Sequence, residues 1–207
     1  MISRADWTPQ VSDEAFAFLA IQRGRLNDIV GNRAAWLEAY KTSLFDWYET
    51  ALPYLPEACG AICDIGGGMG GIDALLSLHY GGTDVFVLDG VADQPIFAQT
   101  IRPFNDMRVT ARFLAANGIE TFGYFPPASR STETKFDLIL SCQAWCFHLP
   151  PAAYAEFALD GWKNGTRMIV DLRRGRTDWR EELEADFGRA EVIHQDRKFE
   201  RLVFGHA

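Results

Sequence analysis

The stretch Ala61-Ile-Cys-Asp-Ile-Gly-Gly-Gly-Met-Gly-Gly-Ile-Asp73 decides the fold. Ala61–Ile65 reads as a short buried strand and Gly66–Gly71 as a tight loop. Ile72–His79 reads as a helix closed by Gly81-Gly82. A strand, a glycine loop and a helix in that order bring backbone N–H groups and a helix N-terminus up to a nucleotide-like ligand. Asp64 stands two residues ahead of the first glycine. A second apolar run, Val85-Phe-Val-Leu-Asp-Gly90, ends in another acid, Asp89. An acid at the tip of the second strand suits the paired hydroxyls of a ribose. Together these features predict an adenosine-containing cofactor.

The glycine spacing leaves that cofactor open. Gly66-x-Gly68-x-x-Gly71 satisfies the dinucleotide fingerprint, and Gly66-x-Gly68-x-Gly70 with Asp64 ahead of it satisfies the motif of S-adenosylmethionine (SAM) binders. The rest of the chain arbitrates.

From Gly60 onward strands and helices alternate. Val85–Asp89 is the second strand, Asn105–Asn117 a helix capped by Asn105 and stopped at Gly118, and Glu120–Phe125 a short third strand. Phe136–Ser141 is the fourth strand, Pro150–Trp162 a helix, Arg167–Asp171 the fifth strand and Asp178–Phe187 an amphipathic helix. Ala190–His194 and Phe199–Phe204 alternate across the turn Asp196-Arg-Lys198 and predict a β-hairpin. The reading is an α/β, Rossmann-like, doubly wound and mostly parallel seven-stranded sheet with a C-terminal antiparallel hairpin. Residues 8–56 read as helical from Thr8-Pro9 to Pro53 and Pro56, with a break at Gly31-Asn32. The chain therefore divides into an N-terminal helical extension, 1–56, and a cofactor domain, 57–207.

With 207 residues, 48% of them hydrophobic, the composition is that of a globular protein with a sizeable core. No apolar run reaches the length of a membrane span, and the N-terminus lacks a signal pattern, so the cytoplasm is the expected compartment. The net charge of −8 argues against a nucleic-acid partner, because phosphate contact needs a basic surface. Cys59, Cys63, Cys142 and Cys146 lack zinc-knuckle spacing and read as reduced thiols, with neither metal nor disulfide.

The layout from Pro56 to Phe204 resembles the class I SAM-dependent methyltransferases. Cys63-Asp-Ile-Gly-Gly-Gly-Met-Gly70 is similar to the family's first motif, and Val87-Leu-Asp89 to its second. Phe136-Asp-Leu-Ile-Leu-Ser-Cys142 resembles the fourth-strand motif, and His148-Leu149-Pro150 the tripeptide that often follows it. Trp162-Lys-Asn-Gly-Thr-Arg-Met-Ile-Val-Asp171 resembles the family's turn into strand five. Pro103–Gly118 and Asp171-Leu-Arg173 are similar to bacterial small-molecule and sugar O-methyltransferases. Ser141-Cys-Gln-Ala-Trp145 stands where amino-group methyltransferases carry Asp/Asn-Pro-Pro-Tyr, which disfavours an amino nitrogen as acceptor.

The resemblance implies roles. Gly66, Gly67, Gly68 and Gly70 admit the cofactor against bare backbone, Asp64 holds its methionine amino group directly or through water and backbone, and Asp89 with Gly90 holds the ribose. The backbone at Ser141 and Cys142 lies beside the sulfonium. His148 is the candidate base for a hydroxyl acceptor. Gln143 and Trp145 are expected as pocket walls, Arg173 as a contact for an acceptor anion, and Tyr40, Trp47 or Tyr48 as a roof. His194, in the closing hairpin, and His206 are not expected to act. The expected activity is methyl transfer to a hydroxyl of a small molecule, with no membrane partner. Two rivals compete. A nicotinamide-dependent oxidoreductase needs a substrate domain for which little chain remains. A non-catalytic SAM-binding scaffold would keep Asp64, the glycines and Asp89 but lack an acceptor pocket.

Overall fold

The computed structural model describes residues 2–22, 24–89 and 106–205. Helices α1 (Asp13–Gln22) and α2 (Arg33–Ala51) precede strand β1 (Ala61–Ile65), helix α3 (Gly71–Tyr80) and strand β2 (Asp84–Leu88). Helix α4 (Met107–Ala116), β3 (Phe122–Phe125), β4 (Leu138–Ser141), β5 (Ala144–Leu149) and α5 (Ala155–Asp160) follow. The chain continues through β6 (Arg167–Arg173), α6 (Thr177–Phe187), β7 (Glu191–Gln195) and β8 (Phe199–Phe204).

Seven strands form one sheet in the order β3-β2-β1-β4-β6-β8-β7. The pairs β1–β2, β1–β4, β2–β3 and β4–β6 are parallel. The pairs β6–β8 and β8–β7 are antiparallel. This is the architecture read from the alternating pattern. Its topological switch point lies at β1, between β2 and β4, and a crevice opens at the carboxyl ends of such strands.

The sheet separates two apolar clusters. One joins α1–α4 to the sheet through Leu19, Trp36, Tyr40, Leu44, Leu75, Leu114 and Ile62. The other joins α5 and α6 to the opposite face through Phe157, Leu183, Ile139 and Val170. The N-terminal helices thus share a core with α3 and the sheet.

Local chemistry shifts several expected boundaries. The first helix starts at Asp13 rather than Thr8, because the Ser12 hydroxyl accepts from the Ala15 amide at 3.1 Å and caps the first turn. Asn32 caps α2 in the same way, accepting from Ala35. The cap of α4 is Asp106, whose carboxylate accepts from the Arg108 amide, while the expected cap Asn105 lies outside the described residues. The helix expected over Pro150–Trp162 is a 3-10 turn, Pro151–Ala153, followed by the short α5. Ala144–Leu149, for which the sequence pattern predicts no strand, is the strand β5. The Ser141 hydroxyl makes that reversal. It donates to the Ile65 carbonyl at 2.7 Å and accepts from the Trp145 amide at 2.9 Å, tying β5 back onto the ends of β1 and β4. Among the described residues no helix is long and apolar enough to cross a membrane, and no group of three or more His, Cys, Asp or Glu could hold a metal.

Candidate functional site

The glycine loop is fixed by backbone geometry. Gly66, Gly68 and Gly70 have φ of 79°, 59° and 72°, the left-handed region that favours glycine. The Gly66 amide donates to the Leu88 carbonyl at 2.7 Å, which locks the loop to the end of β2. A Cβ at Gly66 would lie 2.2 Å from that of Ala144, and one at Gly70 would lie 2.5 Å from Leu114. The space that a side chain would need at these two glycines is filled by protein, so no Cβ fits at either position. Gly67 sits directly over the Asp64 carboxyl. A Cβ at Gly68 would meet the Gln22 side chain at 3.0 Å, so Gly68 is the position where the loop faces a movable group.

Asp89 meets the loop at Gly68. Its carboxylate accepts from the Gly68 amide at 2.8 Å, and its backbone carbonyl accepts from the Tyr124 hydroxyl at 3.0 Å. Thr110, on α4, donates to the Gly68 carbonyl at 3.2 Å and holds the other side of that peptide. Gln22 and Thr110 are loop partners that the sequence reading missed. They lie in helices remote from the motif, and no local signal marks them. Gly90 lies outside the described residues.

Asp64 is buried beneath the loop, and Asp73, in the first turn of α3, is fully buried beside it. Burial pushes the Asp73 carboxyl up to about 7, opposed by its hydrogen bond with Asp64. Burial, followed by the charges of Asp64 and Asp73, pushes the Cys63 thiol upward, so this thiol is inert. With Asp64 only 3% exposed, its carboxyl faces the underside of the loop at Gly67 rather than solvent.

A cleft of about 210 Å³ adjoins the loop. Ile72, directly after the loop, and Cys142 and Gln143, directly after β4, form the side nearest the switch point. Ser43, Asp46 and Trp47 of α2 cover it. Asp171, Arg201, Phe199, His194 and Asp196 form the hairpin side. Gln143 has φ of 53°, an uncommon conformation for a non-glycine residue and one held at the cleft floor.

One buried ion pair organises the hairpin side. Arg201 donates to both oxygens of Asp171, at 2.8 and 3.2 Å, and to the Thr50 hydroxyl at 2.8 Å. Its guanidinium lies over the rings of Trp47 and Phe199, at 5.3 and 5.5 Å. Burial raises the Asp171 carboxyl, and the Arg201 charge opposes that rise. At the hairpin turn, Asp196 accepts from the amides of Lys198 and Phe199. Burial works against ionisation of Asp196, and those amides with nearby His194 and Lys198 hold it below its ordinary value.

Several expected site residues stand elsewhere. Tyr40 is buried with its hydroxyl against Gly71 and its ring stacked on Trp36. Tyr48 is buried, and its hydroxyl pairs with His79 Nδ1 at 2.8 Å. Trp145 is buried on the opposite face, where its indole donates to the Pro151 carbonyl at 3.0 Å and packs near Tyr154 and Phe187. None of the three lines the cleft, because helical and strand spacing fixes which residues share a face but not what that face meets. Arg173 is exposed and lies over the Phe147 ring at 5.8 Å, outside the cleft. His148 is exposed on β5, also outside the cleft, and partial burial with the Arg173 charge lowers it. The Ser141 side chain is spent on structure. Cys142, Gln143 and Trp47 are in the cleft. His194, which the sequence reading set aside, is the histidine that lines it.

These residues fit a SAM-like group. The acid at the end of β2 meets the amide of the middle loop glycine, and a polar cleft adjoins the same loop.

No family model matches the chain, and no curated protein matches it. Solved structures do. The chain is similar to residues 961–1257 of StiE O-MT, with TM-score 0.56 and 13% identity, over 89% of this chain and 61% of that one. It is similar to the 16S rRNA N2 G1207 methyltransferase RsmC of T. thermophilus in complex with AdoMet and guanosine, with TM-score 0.54 and 16% identity, over 78% and 41%. A SAM-dependent methyltransferase from Aquifex aeolicus gives TM-score 0.53 and 13% identity, over 75% and 87%. The chain thus spans less than two thirds of the first two proteins. At these identities the likeness shows the Rossmann-like fold alone.

Proposed function

We propose that this chain is a SAM-dependent methyltransferase whose acceptor is a hydroxyl of a small, polar, uncharged molecule. One observation carries the reading: the Gly68–Asp89 contact and the cleft share one short segment, Gly66 to Ile72, at the switch point of the sheet. Asp89 would hold the ribose, and the loop backbone, supported by buried Asp64, the methionine end. When bound, SAM supplies a methyl group on a cationic sulfur, and the chain's own residues supply alignment and exclusion of water. Trp47 and Ile72 provide apolar walls for that purpose, and Gln143 offers an amide for orientation.

The cleft chemistry supports the acceptor class. Asp46, Asp171 and Asp196 line it, and its guanidinium, Arg201, is committed to Asp171 and Thr50. Phosphate and carboxylate groups would meet like charge there, whereas hydroxyls find acceptors. The net charge of −8 gives the same preference against a nucleic-acid backbone. Calorimetry with S-adenosylhomocysteine and NAD tests the cofactor: binding of the first and not the second is expected. A tritium-transfer screen tests the acceptor. Label in neutral sugars or polyols is expected, and label only in RNA, DNA or protein would overturn the acceptor class.

A further inference from the structure

We propose that His194 is the residue that takes the acceptor's proton in this cleft; the proposal rests on the methyltransferase reading above. The observation behind it is a β-bulge. In the hairpin, Val192 pairs with Leu202, yet His194 rather than Ile193 pairs with Arg201, because the register shifts between Val192 and His194. Directly opposed residues on neighbouring strands project from the same face. An uninterrupted ladder would put Ile193 opposite Arg201 and turn His194 to the other face. The extra residue re-aims the imidazole, a recurrent use of bulges beside active sites.

The consequence is a transverse row across three strands. Asp171 on β6 pairs with Arg201 on β8, and Arg201 pairs with His194 on β7. All three line the cleft. Within the row Asp171 and Arg201 neutralise one another through two hydrogen bonds. His194 is held differently. Its ring packs against Phe199 with centroids 5.7 Å apart, and among the described residues it makes no side-chain hydrogen bond. Around the cleft, Asp46 of α2, Asp171 of β6, Arg201 of β8 and Asp196 of the hairpin turn are the charged groups. Asp171 and Asp196 both feel the His194 charge. The site therefore offers an imidazole in the cleft wall, with the Asp196 carboxylate near enough to stabilise the imidazolium that proton capture creates.

The step balances. As the acceptor oxygen bonds to the methyl carbon, its O–H bond breaks and the proton passes to a ring nitrogen of His194. The electron pair of the methyl–sulfur bond remains on sulfur, which becomes neutral. The new positive charge on the imidazole is offset by Asp196, whose carboxylate is held below its ordinary value at the hairpin turn.

The test uses the full chain with S-adenosylhomocysteine and four neutral probes: rhamnose, methyl glucoside, myo-inositol and glycerol. Histidine ring carbon resonances are assigned by loss of one signal in His194→Gln and another in His148→Gln. The His194 signal is expected to move with at least one probe while that of His148 stays. Movement of His148 instead, or of neither histidine with any probe, overturns the proposal. With a responding probe and labelled SAM, His194→Gln should lower single-turnover methylation by about 10²–10⁴-fold and leave S-adenosylhomocysteine affinity unchanged. Near-normal turnover in that variant also overturns it. Loss of the methyltransferase reading shows separately, as failure of the wild-type chain to bind S-adenosylhomocysteine at all.

Discussion

At the β1–β2 end of the crevice, Gly66–Gly71 and the end of β2 come from two short segments and meet through loop amides, Gly66 donating to the Leu88 carbonyl and Gly68 to the Asp89 carboxylate. At the β6–β8–β7 end, Trp47, Asp171, His194 and Arg201 come from four elements and are brought together through side chains and strand register. The first end rests on the left-handed conformation of its glycines and on a few bonds to the loop peptides. The second end depends on partners matched in charge and register, so a single truncation strands a buried group. A motif can define a cofactor loop; a pocket made of side-chain pairs has no motif.

The largest effect expected from this contrast is at Arg201. Arg201→Ala leaves Asp171 buried without its partner and should reduce stability by about 3–5 kcal/mol, read from denaturant midpoints. Replacing the pair together, Arg201→Met with Asp171→Leu, should recover most of the loss. If the single variant is as stable as the wild type, the hairpin end does not rest on that pair.

At the other end, Asp89→Ala should leave the fold intact and weaken S-adenosylhomocysteine binding. Losing a charged hydrogen-bond acceptor is worth about 1.5–3 kcal/mol, or roughly ten- to more than a hundredfold in affinity, measured by calorimetry. Unchanged affinity would break the assignment of the loop as the cofactor end.

Asp73 sharpens the comparison through pH. An acid whose folded value is raised to about 7 binds more protons folded than unfolded, so its burial penalty grows as pH rises from the unfolded carboxyl value of 3.8 toward 7. Asp73→Asn removes that penalty. Its gain in Tm should be largest at pH 8 and absent near pH 4. An equal gain at both pH values would show that the carboxyl is not the source.

The smallest effect is expected at His148. It is exposed and outside the cleft, so His148→Gln should change stability by no more than about 0.5 kcal/mol and leave turnover near normal. A large loss of turnover would move the reacting centre toward β5.

The fold was legible because its signals are local. Alternating apolar runs, glycine stops and the Asp196–Lys198 turn specify strands, helices and the hairpin within a few residues of sequence. The main omission was β5. Its reversal depends on the Ser141 hydroxyl reaching the Ile65 carbonyl, a contact with no sequence signature. For the site the division is sharper. Asp64, the glycines and Asp89 are separated by one strand–helix–strand unit whose geometry is nearly invariant, so spacing alone brings Asp89 to the loop. Tyr40, Tyr48 and Trp145 are aromatic residues on elements that border the site, but each is consumed by packing.

By itself, then, the sequence determined which runs form the seven strands of the sheet, the mostly parallel class with its closing hairpin, the glycine loop and the two acids beside it, because those follow from local sterics and short-range periodicity. Only the tertiary structure decided which face of α2 covers the cleft, that Arg201 is committed to Asp171, and that His194 rather than His148 looks into it. The physical reason lies in register. A shift of one residue reverses the face to which a strand side chain points, and the shift between Val192 and His194 is set by pairing with a neighbouring strand rather than by the residues of β7 alone.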